Sequence, residues 1–398
     1  MKTSGISVVL PVLMAMLGGI CAPFSSARAQ EPIKIGLVLD YSGMYADASH
    51  QLDNGVKLFL QKYGDTVAGR KIQIIRRDSQ SQPEVGKRLV QELIVREKVN
   101  FLTGIVSTPC AFAIADLVTA AKVPTIIMNA QGEGVPEKSP FFARVSVTVP
   151  QSAIAMANWA IQNGITEVYT LVTDYQTGQD AERAFTIAFT AKGGKIVQSM
   201  RTPLNTHDFS PFLQKVKDAR PPALFVWVPV PDQLLKGIQE QGLGESGIKV
   251  LGTGELTDER RLTRTDNAAL GIITTHHYSS VHNSDLNREF VGLYNEMFKS
   301  EAVVNPGYAA VAAYDAMHII YAAIEQLKGN VDGAGIMKSI AGTKLESPRG
   351  PIEIDTTTRD IIQNIYVRRV DTVGGRLANV EISDFPMVGN PWKGLPNN

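Results

Sequence analysis

The 398-residue sequence predicts an α/β protein built as two doubly wound, Rossmann-like lobes. Short β-rich runs alternate with helical stripes over residues 33–128, and the same alternation restarts near residue 152. An N-terminal leader leaves roughly 370 residues, a length that suits about two domains, each able to bury a core.

The leader, residues 1–29, reads as a cleavable export signal. Lys2 supplies its positive end, an apolar run begins at Ile6, and Ala27-Arg28-Ala29 has the small-x-small pattern cut by a signal peptidase. The run is too short to span a bilayer comfortably. Cys21 invites a lipid anchor, but the branched Ile20 before it fits that processing badly. The predicted product is a soluble periplasmic chain starting beside Gln30.

β-Branched content and length make residues 33–39 a strand, followed by a helical face over 54–63 and a strand at 72–75. Val85, Leu89, Val90, Leu93 and Ile94 form one stripe of a helix over 83–98, with Pro83 near its start. Phe101 and Leu102 lead into a helix running through 116–121, and 124–128 is another short strand. This order predicts a parallel sheet with helices on both faces.

The second set comprises helix 152–162, strand 167–172, helix 179–191, strand 195–199, helix 209–217, strand 223–228, helix 233–241 and strand 249–252. Two long helices follow, at 285–298 and 308–328. The last extended segment, 361–370, precedes a Gly/Pro/Asn-rich tail from Gly374, expected to be irregular.

After loss of Lys2 and Arg28 the chain carries 37 basic against 39 acidic residues, a net charge of −2. That balance provides no field to recruit nucleic acid or an anionic membrane surface. Cys110 is the single remaining cysteine, so no internal disulfide forms. The longest apolar stretch, 308–324, is interrupted by Asp315 and His318 and reads as a buried helix. His276, His277 and His282 lack metal-ligand spacing, and Gly252-x-Gly254 lacks the remainder of a dinucleotide fingerprint. No cofactor or metal is expected, and no catalytic set assembles from local sequence.

The run Ile33-Lys34-Ile35-Gly36-Leu37, then Ser42-Gly43 and Asn54-Gly55, resembles the opening of type I periplasmic solute-binding proteins. More narrowly, it is similar to the leucine/isoleucine/valine-binding branch that serves ABC importers. The resemblance continues through Leu102-Thr103-Gly104, Val123-Pro124, Asp174-Tyr175-Gln176-Thr177-Gly178 and Gly252-Thr253-Gly254-Glu255, and into the helix from Tyr308 to Ala316. It implies a three-segment hinge, placed by position near 147–150, 274–277 and 354–359. Lobe 1 is then 30–149 with 277–354, lobe 2 is 150–276 with 359–371, and 372–398 is the irregular tail.

In open α/β sheets, ligands sit beyond the carboxyl ends of strands. Thr108 suits a helix N-cap and Pro109 the first helical position. The amides of Cys110 and Ala111, with the Ser107 and Thr108 hydroxyls, are therefore expected to hold a carboxylate at the positive helix end. The resemblance implies that Asn129, Ala130 and Gln131 meet the solute's polar head, although Gln131 stands where a threonine is usual. It also aligns Thr177 with a residue that covers the ligand, and brings Glu255 close to an acid that binds an ammonium group. Tyr45, just after the first strand, and Trp227, at the end of another, are candidates for the apolar walls. Cys110 reads as a small packing residue.

The family implies a hinge-bending monomer that captures a small carboxylate with an apolar body and delivers it to an ABC permease. The solute is a hydrophobic or branched-chain amino acid, or an aromatic acid. A soluble periplasmic sensor for amides or organic acids and a periplasmic hydrolase are the other readings.

Overall fold

The structure is a computed structural model that describes residues 1–2, 4–5, 31–265, 267–301 and 305–396. The apolar run and cleavage site of the predicted leader lie outside these. Glu31–Asn398 forms one compact unit.

The first sheet contains β1 (Ile33–Leu39), β2 (Thr66–Val67), β3 (Arg70–Asp78), β4 (Phe101–Gly104), β5 (Thr125–Ile127) and β6 (Phe142–Arg144), in the order β2-β3-β1-β4-β5-β6. All its pairings are parallel except the β2–β3 hairpin. Intervening helices are α1 (Ala46–Tyr63), α2 (Pro83–Glu92) and α3 (Thr108–Ala121). The second sheet has a parallel part made of β7 (Glu167–Thr173), β8 (Lys195–Thr202), β9 (Ala223–Trp227), β10 (Lys249–Thr253) and β11 (Ile273–His276). Its helices are α4 (Val149–Gln162), α5 (Gln176–Ala191), α6 (Ser210–Ala219), α7 (Asp232–Glu240) and α8 (Glu259–Leu262). The chain then returns to the first lobe with α9 (Asp285–Met297), α10 (Tyr308–Gln326) and α11 (Gly333–Ile340), whose buried residues share a core with β1, α1 and β5.

Two expectations are corrected at the C-terminal end. The hairpin β12 (Lys344–Ser347) and β13 (Gly350–Ile354) pairs antiparallel with β14 (Ile361–Val373), which itself pairs with β11. The third connection therefore runs along strand β14, a few residues beyond the 354–359 expected by position. Ile361 packs in the first core, while Val367 packs in the second. The segment from Gly374 is also not irregular. Gly374 and Gly375 form a tight turn at positive φ, and β15 (Arg376–Val388) runs back along β14. Its glycines mark a hairpin, which composition had suggested as a loose tail.

Helix α1 starts eight residues before the predicted 54. Its early turns bury Ser49, Gln51, Asp53 and Asn54, polar side chains that an apolar stripe does not reveal. No helix among the described residues is long and apolar enough to cross a membrane. His318, which interrupts the apolar run, sits against Phe59, Tyr63 and Tyr314 at ring separations of 4.7, 4.8 and 4.9 Å. Burial, aided by Lys62, pushes its imidazole down to about 4. Because the folded value lies below the unfolded one, the unfolded chain takes up the proton first. The stabilisation is intact above pH 6.5 and is lost as pH falls from 6.5 towards 4, by about 1–3 kcal/mol. His318→Phe is expected to flatten this fall, read as a gap in melting temperature from wild type that changes between pH 7 and 4.5. An unchanged gap would remove His318 from the acid response.

Candidate functional site

The carboxyl ends of β1, β4 and β5 face those of β7, β9 and β10 across a cavity of about 40 Å³. Its lining includes Tyr45, Ser107, Thr108, Asn129, Gln131, Thr177, Trp227 and Glu255. Ala130 is the exception among the sequence-predicted residues. It is buried in the first lobe's core, its amide donates to the Ile105 carbonyl at 3.1 Å, and its carbonyl accepts from Arg144 at 3.0 Å. Sequence reasoning missed Gln51, Asp258, Arg261 and Tyr308, which also line the cavity. Gln51 lies on the polar face of α1, and Tyr308 opens a helix whose apolar run reads simply as core.

At the start of α3 the cap lies one residue earlier than expected. Ser107 is extended (φ −100°, ψ 144°) and its hydroxyl accepts from the Cys110 amide at 3.4 Å, while its carbonyl accepts from the Ala111 amide at 3.1 Å. Both amides predicted to hold an anion are therefore occupied within the helix. What remains is Thr108. The Gly132 amide donates to its hydroxyl at 2.9 Å, which leaves the hydroxyl's own proton for the Thr177 hydroxyl at 3.5 Å or for a ligand. A Cβ at Gly132 would fall 2.5 Å from Thr108 Cγ2, so only glycine admits this approach. The Thr108 amide, first in the helix, has no intrahelical acceptor. Burial pushes the Cys110 thiol up to about 12, which keeps it protonated and inert.

On the next loop, the Asn129 Nδ2 donates to the Val106 carbonyl at 2.9 Å, while its Oδ1 and the Gln131 Oε1 are buried without partners. From the second lobe, Thr177 in the first turn of α5 stands 3.5 Å from the Thr108 hydroxyl. Trp227 ends β9 and stacks on Tyr175, with ring centroids 6.3 Å apart and planes within 10°. Its Nε1–H is buried and has no acceptor. Gln51 ties the lobes together by donating to Asp258 at 2.9 Å while accepting from the Gly307 amide at 2.8 Å.

Glu255 sits on the short 3₁₀ turn Gly254–Thr257 and is 8% exposed, and neither carboxylate oxygen has a hydrogen-bond partner. His276 Nε2 lies 3.6 Å away, beyond hydrogen-bond length. A Cβ on Gly254 would collide with the His276 ring at 1.8 Å, so the glycine lets the imidazole lie against this turn. Burial alone would raise the Glu255 carboxyl, but His276, helped by Thr253 and the backbone of the turn itself, outweighs it and holds the group at about 2. Burial also holds His276 below its usual value despite Glu255. The cavity thus offers buried donors at Trp227 and Thr108 and buried acceptors at Glu255, which fits a ligand carrying groups of both kinds.

A family model described as a periplasmic binding protein matches residues 32–376. The chain belongs to the periplasmic binding protein family. This binding protein is 37% identical to "Leu/Ile/Val-binding protein homolog 6" of Brucella suis biovar 1, over 92% of its own length and 95% of that relative. It is 45% identical to the solute-binding protein of an ABC transporter from Rhodopseudomonas palustris BisB5, solved in complex with 3,4-dihydroxybenzoic acid. That likeness covers 91% of this chain and 99% of the other, with a TM-score of 0.88. A second R. palustris protein, from strain HaA2 and in complex with p-hydroxybenzoic acid, is 37% identical with a TM-score of 0.87, over 91% and 99% of the two chains. The two-lobed architecture predicted from the sequence is the one these proteins share.

Proposed function

We propose that this binding protein captures a small aromatic carboxylate between its lobes and delivers it to the permease of an ABC importer. The observation that carries the reading is the buried, unpartnered Trp227 Nε1–H in a cavity that Tyr45, Tyr308 and the Thr108 hydroxyl also line. A carboxylate accepts from the indole N–H and the hydroxyl, and the ring lies among Tyr45, Trp227 and Tyr308. The likeness to proteins holding hydroxybenzoates supports the same class. Tyr45, Ser107, Thr108, Asn129, Gln131, Thr177, Trp227 and Glu255 form the contact set in this reading.

The lobes close over the ligand by bending at the three connections, and the bound solute stabilises the closed state through contacts to both. Closure is latched at the rim. The Glu133 amide donates to Asp180 at 3.1 Å and Glu133 pairs with Arg183 on one side, and Arg264 pairs with Asp47 at 2.8 Å on the other. The protein acts as a monomer in the periplasm after cleavage beside Gln30, and it performs no chemistry on its solute.

A hydrophobic amino acid is the second reading. The unpartnered Glu255 carboxylate favours it, because an ammonium group would satisfy that acid. Thermal denaturation of the mature protein with benzoate, 4-hydroxybenzoate, 3,4-dihydroxybenzoate, leucine or phenylalanine tests the two. A ligand at a hundred times its Kd adds about 2.7 kcal/mol and raises the midpoint. The aromatic acids are expected to do so; a rise with leucine alone would replace this reading with the second.

A further inference from the structure

Within the cavity, Glu255 is the acidic side chain least provided for. Asp258 also lines it, but one of its oxygens already accepts from Gln51 at 2.9 Å and from the Arg260 amide at 3.1 Å. Asp47 is engaged by Arg264 at 2.8 Å. Among the described residues Glu255 accepts no hydrogen bond and pairs with no arginine or lysine; the His276 imidazole stands at 3.6 Å, and both carboxylate oxygens are buried. A buried carboxylate left in this state is costly and needs a donor. A solute that brings only its own carboxylate would set two negative charges in one small cavity, which costs affinity. A solute that also brings an O–H would remove the deficit.

The geometry points to Glu255 as the specificity-determining acceptor for a ring hydroxyl of the aromatic acid. The inference rests on the aromatic-acid reading and adds to it that the site selects hydroxybenzoates over benzoate. His276 is the positioning residue. It packs on the Tyr308 ring at 4.6 Å and lies against Gly254, so the carboxylate has a fixed wall on one side and must face the ligand with the other. The hydroxyl stays protonated and donates, and no proton is transferred.

Calorimetry on the mature protein with benzoate, 4-fluorobenzoate and 4-hydroxybenzoate tests this. Fluorine has nearly the bulk of a hydroxyl but no proton to donate. Wild type is expected to bind 4-hydroxybenzoate at least tenfold more tightly than either other acid, since a charge-assisted bond is at stake. Glu255→Gln is expected to bring the three within about threefold, by weakening 4-hydroxybenzoate and sparing or improving benzoate. Equal affinity of wild type for 4-fluorobenzoate and 4-hydroxybenzoate would overturn the inference even if the variant failed to fold, while leaving the aromatic-acid reading in place. An unchanged preference in a folded Glu255→Gln would overturn it too. If none of the three acids binds, the aromatic-acid reading itself falls.

Discussion

Arg349→Met is expected to destabilise the protein by about 3–5 kcal/mol, the largest effect of any single change considered, because it strands a buried carboxylate. Arg349 and Asp315 are both fully buried, with the guanidinium Nε donating to Asp315 Oδ2 at 2.7 Å. The same guanidinium donates to the Val145 carbonyl at 2.6 Å and to Gln363. Gln363 in turn donates to Gln151 at 2.9 Å, and Gln151 donates to the Ile361 and Val388 carbonyls. One network therefore joins α10, the turn before β13, strand β14, helix α4 and the end of β15. Burial raises the Asp315 carboxyl and Arg349 is the main group opposing that rise, so removing the arginine leaves the penalty offset only by the Ser347 hydroxyl at 2.9 Å. Urea denaturation of Arg349→Met, Asp315→Asn and the double variant gives the measurement. The double is expected to lose less than the sum of the singles. A loss below 1 kcal/mol for Arg349→Met would show that the network does not hold this region.

Thr108→Val is expected to weaken binding of the aromatic acid by about tenfold to a hundredfold, as loss of a hydrogen bond to a charged group predicts. It is also expected to lower stability by about 1–3 kcal/mol, because the buried Gly132 amide loses its acceptor. Thr108→Ser keeps the hydroxyl and should restore most of both. Calorimetry and unfolding of the two variants decide it. Full affinity in Thr108→Val would take this side chain out of the ligand's shell.

Most of the alternation of strands and helices from residue 33 to 252 was legible because buried parallel strands are short apolar runs and their helices carry stripes, whereas the short strands β6 and β11 were not. The same rules fail where burial is polar. The first two turns of α1 present Ser49, Gln51 and Asp53 inward, where Asp40, Asp258 and Arg76, all outside the helix, take up their polar atoms. The hairpin β12–β13 and strand β15 escaped notice because their long-range partner, β14, gives them their structure.

The candidate site divides along the same line. The sequence by itself determined the helix start at Ser107–Thr108, a local property of Ser, Thr and Pro, while the resemblance to the binding-protein family pointed to the loops carrying Asn129, Gln131, Thr177 and Glu255. It could not determine which polar atoms are already satisfied. Hydrogen bonding is completed by residues distant in the chain, as when Gly132 donates to Thr108, Arg144 takes the Ala130 carbonyl and Gln51 takes Asp258. Only the tertiary structure shows what those bonds leave over. The Cys110 and Ala111 amides are occupied, whereas Trp227 Nε1 and the Glu255 carboxylate are buried and open. Helix and strand patterns come from the period of the chain, but which buried polar atoms stay unpaired is settled only when residues distant in sequence pack together.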